Sequence, residues 1–218
     1  MKNNVQRLVL SLALAASAAA ALTACTGLVL GGAAVGTMVA IDRRTSGAQL
    51  EDEGIELRAA ARLREAFGDR AHISVNSYNR LVLLTGEVPT EQVRQQAEQI
   101  VSRVENVRSI VNELAVMGNS SVTQRSADAL TTAKVKASLV DDKALSVGAF
   151  RVVTERGTTY LMGRVTQREA DRATQIARTV SGVQRVVRVF EIISEEELRQ
   201  IAPQQARPQG AAPSAPAR

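Results

Sequence analysis

The stretch Leu84-Thr85-Gly86-Glu87-Val88 is followed by a helical run and then by Val107-x-x-Ile110-Val111-x-x-Leu114-x-Val116, and it decides the fold because it is written twice. The second copy reads Leu161-Met162-Gly163-Arg164-Val165 and closes on Val183-x-x-Val186-Val187-x-x-Phe190-x-Ile192. Outward from this pair, Ala59 and Leu63 answer to Val135 and Leu139 at a shift of 76. Ile73 and Val75 answer to Phe150 and Val152 at 77, and Val104 answers to Val180 at 76 again. One inserted and one deleted loop residue explain the drift. A repeat is a copied unit of structure, so the chain carries two small homologous domains in tandem.

Each copy has the same order of elements. In the first, residues 51–117, Ile55 to Phe67 reads as a helix with Ala59, Ala60, Leu63 and Phe67 at helical spacing, and Gly68 ends it. Ile73 and Val75 alternate with polar neighbours, and Ser77-Tyr78-Asn79-Arg80 turns the chain into Leu81-Val82-Leu83-Leu84, a hairpin signal. Pro89 opens a second helix with Val93, Ala97, Ile100, Val101 and Val104 on one stripe, and Val107 to Val116 is a final strand. The second copy, residues 126–193, repeats this with a hairpin at Glu155-Arg156-Gly157 and a helix from Gln167 to Val180. The expected fold class is α+β: two units of order αββαβ, each with two helices on one face of a three-stranded mixed sheet. A unit of this size has a thin core and is marginal alone. Residues 118–125 are the expected linker.

The ends are of a different character. Residues 1–24 read as a signal peptide: Lys2 and Arg7 precede an uncharged, Ala-rich apolar run from Leu8 to Leu22. The run ends in Leu22-Thr23-Ala24-Cys25, which resembles a bacterial lipobox. That resemblance implies cleavage before Cys25 and attachment of fatty acyl chains such as palmitate to it. Several buried acyl chains anchor a protein stably, at about 0.8 kcal/mol per CH₂. Thr26 rather than Asp at the next position implies the outer membrane, facing the periplasm. Cys25 is the single cysteine, which excludes an internal disulfide. Residues 25–50 are then a lipidated tether. Within it Leu28 to Ile41 is apolar but short of the ~20 residues of a spanning helix; it either lies near the lipid surface or packs on the first domain. Residues 194–218 are read as a largely disordered tail, rich in Pro, Gln and Ala, with a short helix from Ser194 to Gln200 ahead of it.

Two αββαβ units with an L-x-G-x-V strand end behind a lipobox resemble the BON family. The resemblance covers Cys25 to about Ile193 and is closest over Tyr160 to Ala170 and Val180-Ser181-Gly182-Val183. Gly86 and Gly163 are expected to be structural, allowing close helix-to-strand packing or an unusual backbone angle.

Catalytic patterns are missing from the sequence. His72 is the single histidine, with no cysteine cluster to complete a metal-site spacing, so no metal and no cofactor is expected. No Ser-His-Asp or Cys-His arrangement and no phosphate-binding glycine loop can be assembled. The expectation is a protein that is not an enzyme.

The net charge of +5 hides an asymmetry. Leu50 to Val116 holds 8 Arg against 11 acids, a balance of −3, and Ser120 to Ile193 holds 12 Lys and Arg against 7 acids, a balance of +5. A basic face gains about 1 kcal/mol per Lys or Arg close to an anionic bilayer. Nucleic acid attracts the same charge, but a periplasmic address and few aromatics argue against it. On the first helix of the second unit, Leu130 lies about 140° from Val135 and should point outward. Lys134 is its i+4 neighbour, with Ala127, Thr131, Ala137 and Ser138 expected beside it. Either this face meets lipid or Leu130 packs on the first domain. The family resemblance implies the former: binding of anionic phospholipid such as phosphatidylglycerol or cardiolipin through the second domain, support of outer-membrane integrity, and a link to envelope stress. It also implies an aromatic residue where this chain has Leu130, and so a shallower insertion here. The alternative is an interaction adaptor for a protein partner in an envelope or cell-wall complex.

Overall fold

The computed structural model describes residues 42–205. Residues 1–24, read above as a signal peptide, Cys25, the apolar run of residues 28–41 and the tail beyond Gln205 lie outside the described residues. No helix among the described residues is long and apolar enough to cross a membrane.

The first repeat runs α1 (Ser46–Phe67), β1 (His72–Tyr78), β2 (Leu81–Val88), α2 (Glu91–Ser102), β3 (Ser109–Asn112) and a short β4 (Ala115–Val116). The second runs α3 (Val122–Asp141), β5 (Phe150–Glu155), β6 (Thr158–Val165), α4 (Gln167–Thr179) and β7 (Arg185–Ile192), followed by α5 (Glu195–Gln205). In both, a hairpin pairs antiparallel and the last strand adds parallel to the central one, β1-β2-β3 and β5-β6-β7. This is the α+β arrangement with mixed sheets that the repeat predicts.

Several boundaries differ from the pattern. Helix α1 begins at Ser46 rather than Ile55, because the Thr45 hydroxyl accepts from the Ala48 N–H as its N-cap and Asp52 extends the buried stripe ahead of Ile55. Residues 46–50 are therefore helix rather than tether. Helix α3 likewise takes in Val122 to Arg125, assigned to the linker, with Ser121 as N-cap. The predicted strand over Val107 to Val116 is broken: Asn112 Oδ1 accepts from the Leu114 N–H and Leu114 turns into the core. Helix α5 runs on to Gln205, and the Ser194 hydroxyl accepts from the Glu197 N–H at its start.

Each sheet is covered on one face by its own helices. Ile55, Ala59, Leu63 and Phe67 of α1 meet Val82, Leu84 and Val88 of β2. Val135 and Leu139 of α3 meet Leu161 and Val165 of β6. The opposite faces pack on each other: Tyr78 and Leu83 of the first sheet meet Tyr160, Met162 and Val189 of the second. The Tyr78 hydroxyl donates to the Ala149 carbonyl across this seam.

Gly86 and Gly163 are structural, but the close neighbour is the backbone at the start of the preceding hairpin strand rather than a covering helix. A Cβ on Gly86 (φ +112°) would sit 2.0 Å from the His72 carbonyl oxygen, and one on Gly163 would sit 2.3 Å from that of Ala149.

A second repeated device holds the hairpins. Asn79 and Arg80, then Arg156 and Gly157, all take positive φ, as a tight two-residue hairpin requires. Asp52 on α1 accepts from the Ser77 hydroxyl and from the Asn79 and Arg80 N–H groups, each at 2.7 Å. Asp128, its counterpart at a shift of 76, accepts from the Arg156 and Gly157 N–H groups at 2.8 and 2.9 Å. Both carboxylates are almost fully buried. Asp128→Ala strands two buried donors that each lose a charge-assisted bond, so urea unfolding should show a loss of about 3 kcal/mol.

Candidate functional site: the outer face of helix α3

Helix α3 buries Asp128, Thr131, Val135 and Leu139. The face opposite them is the candidate site. Leu130 is 64% exposed, so it does not pack on the first domain. Ala127, Lys134 and Ala137 are exposed around it, and Ser138 is partly buried at its margin.

Thr131 is a correction. It lies four residues before Val135 and therefore on the core face, 6% exposed. Its hydroxyl donates to the Ala127 carbonyl, and its side chain fills the space that a Cβ on Gly182 would need.

The sequence reading also missed residues. Val122 is 76% exposed and Val140 is 57% exposed, and with Ala133 they extend the apolar line through Leu130 along one side of the helix. Their spacing of eight before and ten after Leu130 is legible once the buried face is fixed. The described residues contain only Lys134, Lys136 and Lys143 as lysines, all on α3 or just after it; every other cation apart from His72 is an arginine. Lys134 and Lys136 are exposed, and no ion pair to either is formed among the described residues.

The arginines behave differently, and they change the meaning of the charge asymmetry. Across the seam Arg151 pairs with Glu56 at 2.8 Å, Arg156 with Glu87 at 3.2 Å, Arg108 with Glu191 at 3.0 Å and Arg185 with Glu113 at 3.1 Å. Much of the opposite charge of the two domains is thus satisfied between them rather than by different partners.

The equivalent helix of the first repeat is the natural control. Helix α1 exposes Leu50 (70%) and Leu57 (73%) with Glu53 and Arg64 on that stripe, and over the whole helix 5 acids outnumber 3 arginines, where α3 has 3 basic residues to 2 acids. Two homologous helices carry similar apolar exposure with opposite charge.

The BON domain family matches residues 52–118 and again 127–194, and the chain belongs to it as a protein of two tandem BON domains. Within that class it is similar to outer membrane lipoprotein DolP of Haemophilus influenzae, with 37% identity over 174 residues, covering 79% of this chain and 90% of DolP. It is 32% identical over 155 residues to a 21 kDa hemolysin of Actinobacillus pleuropneumoniae, covering 70% of this chain and 80% of that protein. The osmotically-inducible protein Y of Escherichia coli is 33% identical over 117 residues, covering 52% of this chain and 58% of that one.

One contact fixes the segment ahead of α1 against the second domain. Arg43, 7% exposed, donates to both carboxylate oxygens of Glu169 at 2.6 and 2.8 Å and to the Arg164 carbonyl at 3.0 Å. Burial opposes ionisation of Glu169, but the Arg43 bonds and the Thr166 N–H outweigh it and hold the carboxyl below its ordinary 4.5. A depressed carboxyl contributes stability above its unfolded value that is lost as pH falls through the folded one. Arg43→Ala leaves a buried carboxylate unpaired and should cost about 3–5 kcal/mol at pH 7. In denaturation series against pH, the gap between Arg43→Ala and the unmodified chain should be constant above about pH 5 and close below it.

Proposed function

We propose that this protein is a non-catalytic lipoprotein of the outer membrane, facing the periplasm and held by acyl chains on Cys25, whose second BON domain binds anionic phospholipid through α3. The observation that carries the reading is the coincidence of Leu130, Val122 and Val140 in solvent with Lys134 and Lys136, which form no ion pair among the described residues, on one helix. An apolar line inserts shallowly among headgroups while flanking ammonium groups meet phosphate. The contact surface is Ala127, Leu130, Lys134 and Ala137, with Val122, Ala133 and Val140 added and Thr131 left out. Likeness to an outer membrane lipoprotein supports the same address. With no aromatic at position 130, insertion is shallow and charge supplies a large share of the affinity, which makes binding salt-dependent.

The test is co-sedimentation with phosphatidylglycerol or cardiolipin vesicles against neutral ones. The chain should begin at Ala40, without acyl groups, so that Arg43 keeps its place on Glu169. Binding to anionic vesicles alone is expected. Lys134→Glu changes the local charge by two and should weaken binding about 30-fold, the equivalent of about 2 kcal/mol. Leu130→Asp should abolish it, whereas Leu57→Asp on α1 should not. Equal binding of all three variants refutes the assignment and leaves the acyl anchor and a protein partner to explain the function.

A further inference from the structure

We propose that His72, Glu87 and Glu155 form a binding site for a divalent cation of the zinc class that bridges the two BON domains. The β1–β2 hairpin brings His72 and Glu87 together, and the packing of one sheet on the other adds Glu155. His72 and Glu87 are directly opposite each other on β1 and β2, and Glu155 ends β5 of the second domain. All three point into the seam between the sheets. Their donor atoms lie within 4.8 Å of one another, and His72 Nδ1 is 3.0 Å from Glu87 Oε2.

The chemistry of the donors favours zinc over calcium or magnesium. One imidazole nitrogen and two carboxylates form a three-ligand set of the type that leaves a fourth, open position in tetrahedral zinc sites. Hard cations such as calcium prefer oxygen donors alone. Metal–ligand bonds of about 2.0–2.2 Å require donors about 3.3 Å apart, within reach of small side-chain rotations from the geometry seen. The histidine must carry its proton on Nε2 so that Nδ1 can ligate.

Buried polar groups surround this place. Ser120 is 5% exposed, and its N–H donates to Glu87 Oε2 at 3.0 Å. Thr85, two residues before Glu87 on the same face of β2, is fully buried, and its hydroxyl has no hydrogen-bond partner among the described residues. Buried hydroxyls are nearly always satisfied, by protein or by an ordered solvent or ion.

Arg156 is the competitor. Its guanidinium reaches Glu87 Oε1 at 3.2 Å from a side chain that is 40% exposed. An incoming cation displaces it toward solvent or shares the carboxylate with it. The cation then does what the arginine does, joining Glu87 of one domain to the hairpin of the other, with three bonds in place of one. The His72 side chain is 22% exposed, so the site is open to solvent at its imidazole.

The experiment is calorimetric titration of the purified full chain with Zn²⁺, together with Co²⁺ absorption as a report on coordination. One Zn²⁺ per chain and an intense Co²⁺ band of tetrahedral type are expected. His72→Gln and Glu155→Gln keep size and hydrogen bonding at partly exposed positions, so they should fold and should weaken Zn²⁺ about tenfold or more. Arg156→Ala removes the competing cation and should tighten binding, a gain that damage to folding does not produce. Absence of Zn²⁺ binding, or binding that His72→Gln and Glu155→Gln both leave unchanged, overturns the proposal.

Discussion

A three-stranded sheet has two faces, and the helices of one BON repeat cover only one of them. Everything else in this protein follows from how the second face is covered. Leu83 and Tyr78 would be exposed on an isolated first domain, as would Tyr160, Met162 and Val189 on the second. Packing the two faces together makes each central strand inaccessible on both sides, with Leu161 facing helices and Met162 facing the sister sheet. The duplication is therefore the condition for a sufficient core, since a single unit of this length buries too little surface.

That constraint explains what could be read in advance. The repeat made the element order and the buried helix positions legible, because periodicity records which face is covered. The run Leu81-Val82-Leu83-Leu84 carried more: four apolar residues without alternation belong to a strand buried on both faces. It predicts the seam, though not which surface closes it. Thr131 adjoins Leu130 in sequence, but it stands four residues before Val135, and that spacing puts it on the core face. The turn-holding pair Asp52 and Asp128 was present at the repeat shift but looks, in sequence, like two ordinary helix acids. Arg43 and Glu169 could not have been paired, since nothing local connects residues 126 apart. The same holds for His72, Glu87 and Glu155, whose ligand spacing exists only across two domains.

Charge is divided by chemistry as well as by sign. Arginine, with its planar and weakly hydrated fork, holds carboxylates inside and across the seam. Among the described residues lysine, compact and strongly hydrated, is kept for α3 and the turn after it. The basic balance of the second domain is thus two populations, one spent on the fold and one left in solvent.

This division makes one helix chemically singular. Primary amines on the described surface occur only at Lys134, Lys136 and Lys143. Any reagent that seeks an amine, whether an activated ester at the bench or a reactive aldehyde released from oxidised lipid, meets the described fold at α3 and its C-terminal turn. Covalent loss of those charges would silence that face while leaving the arginine-bound architecture intact.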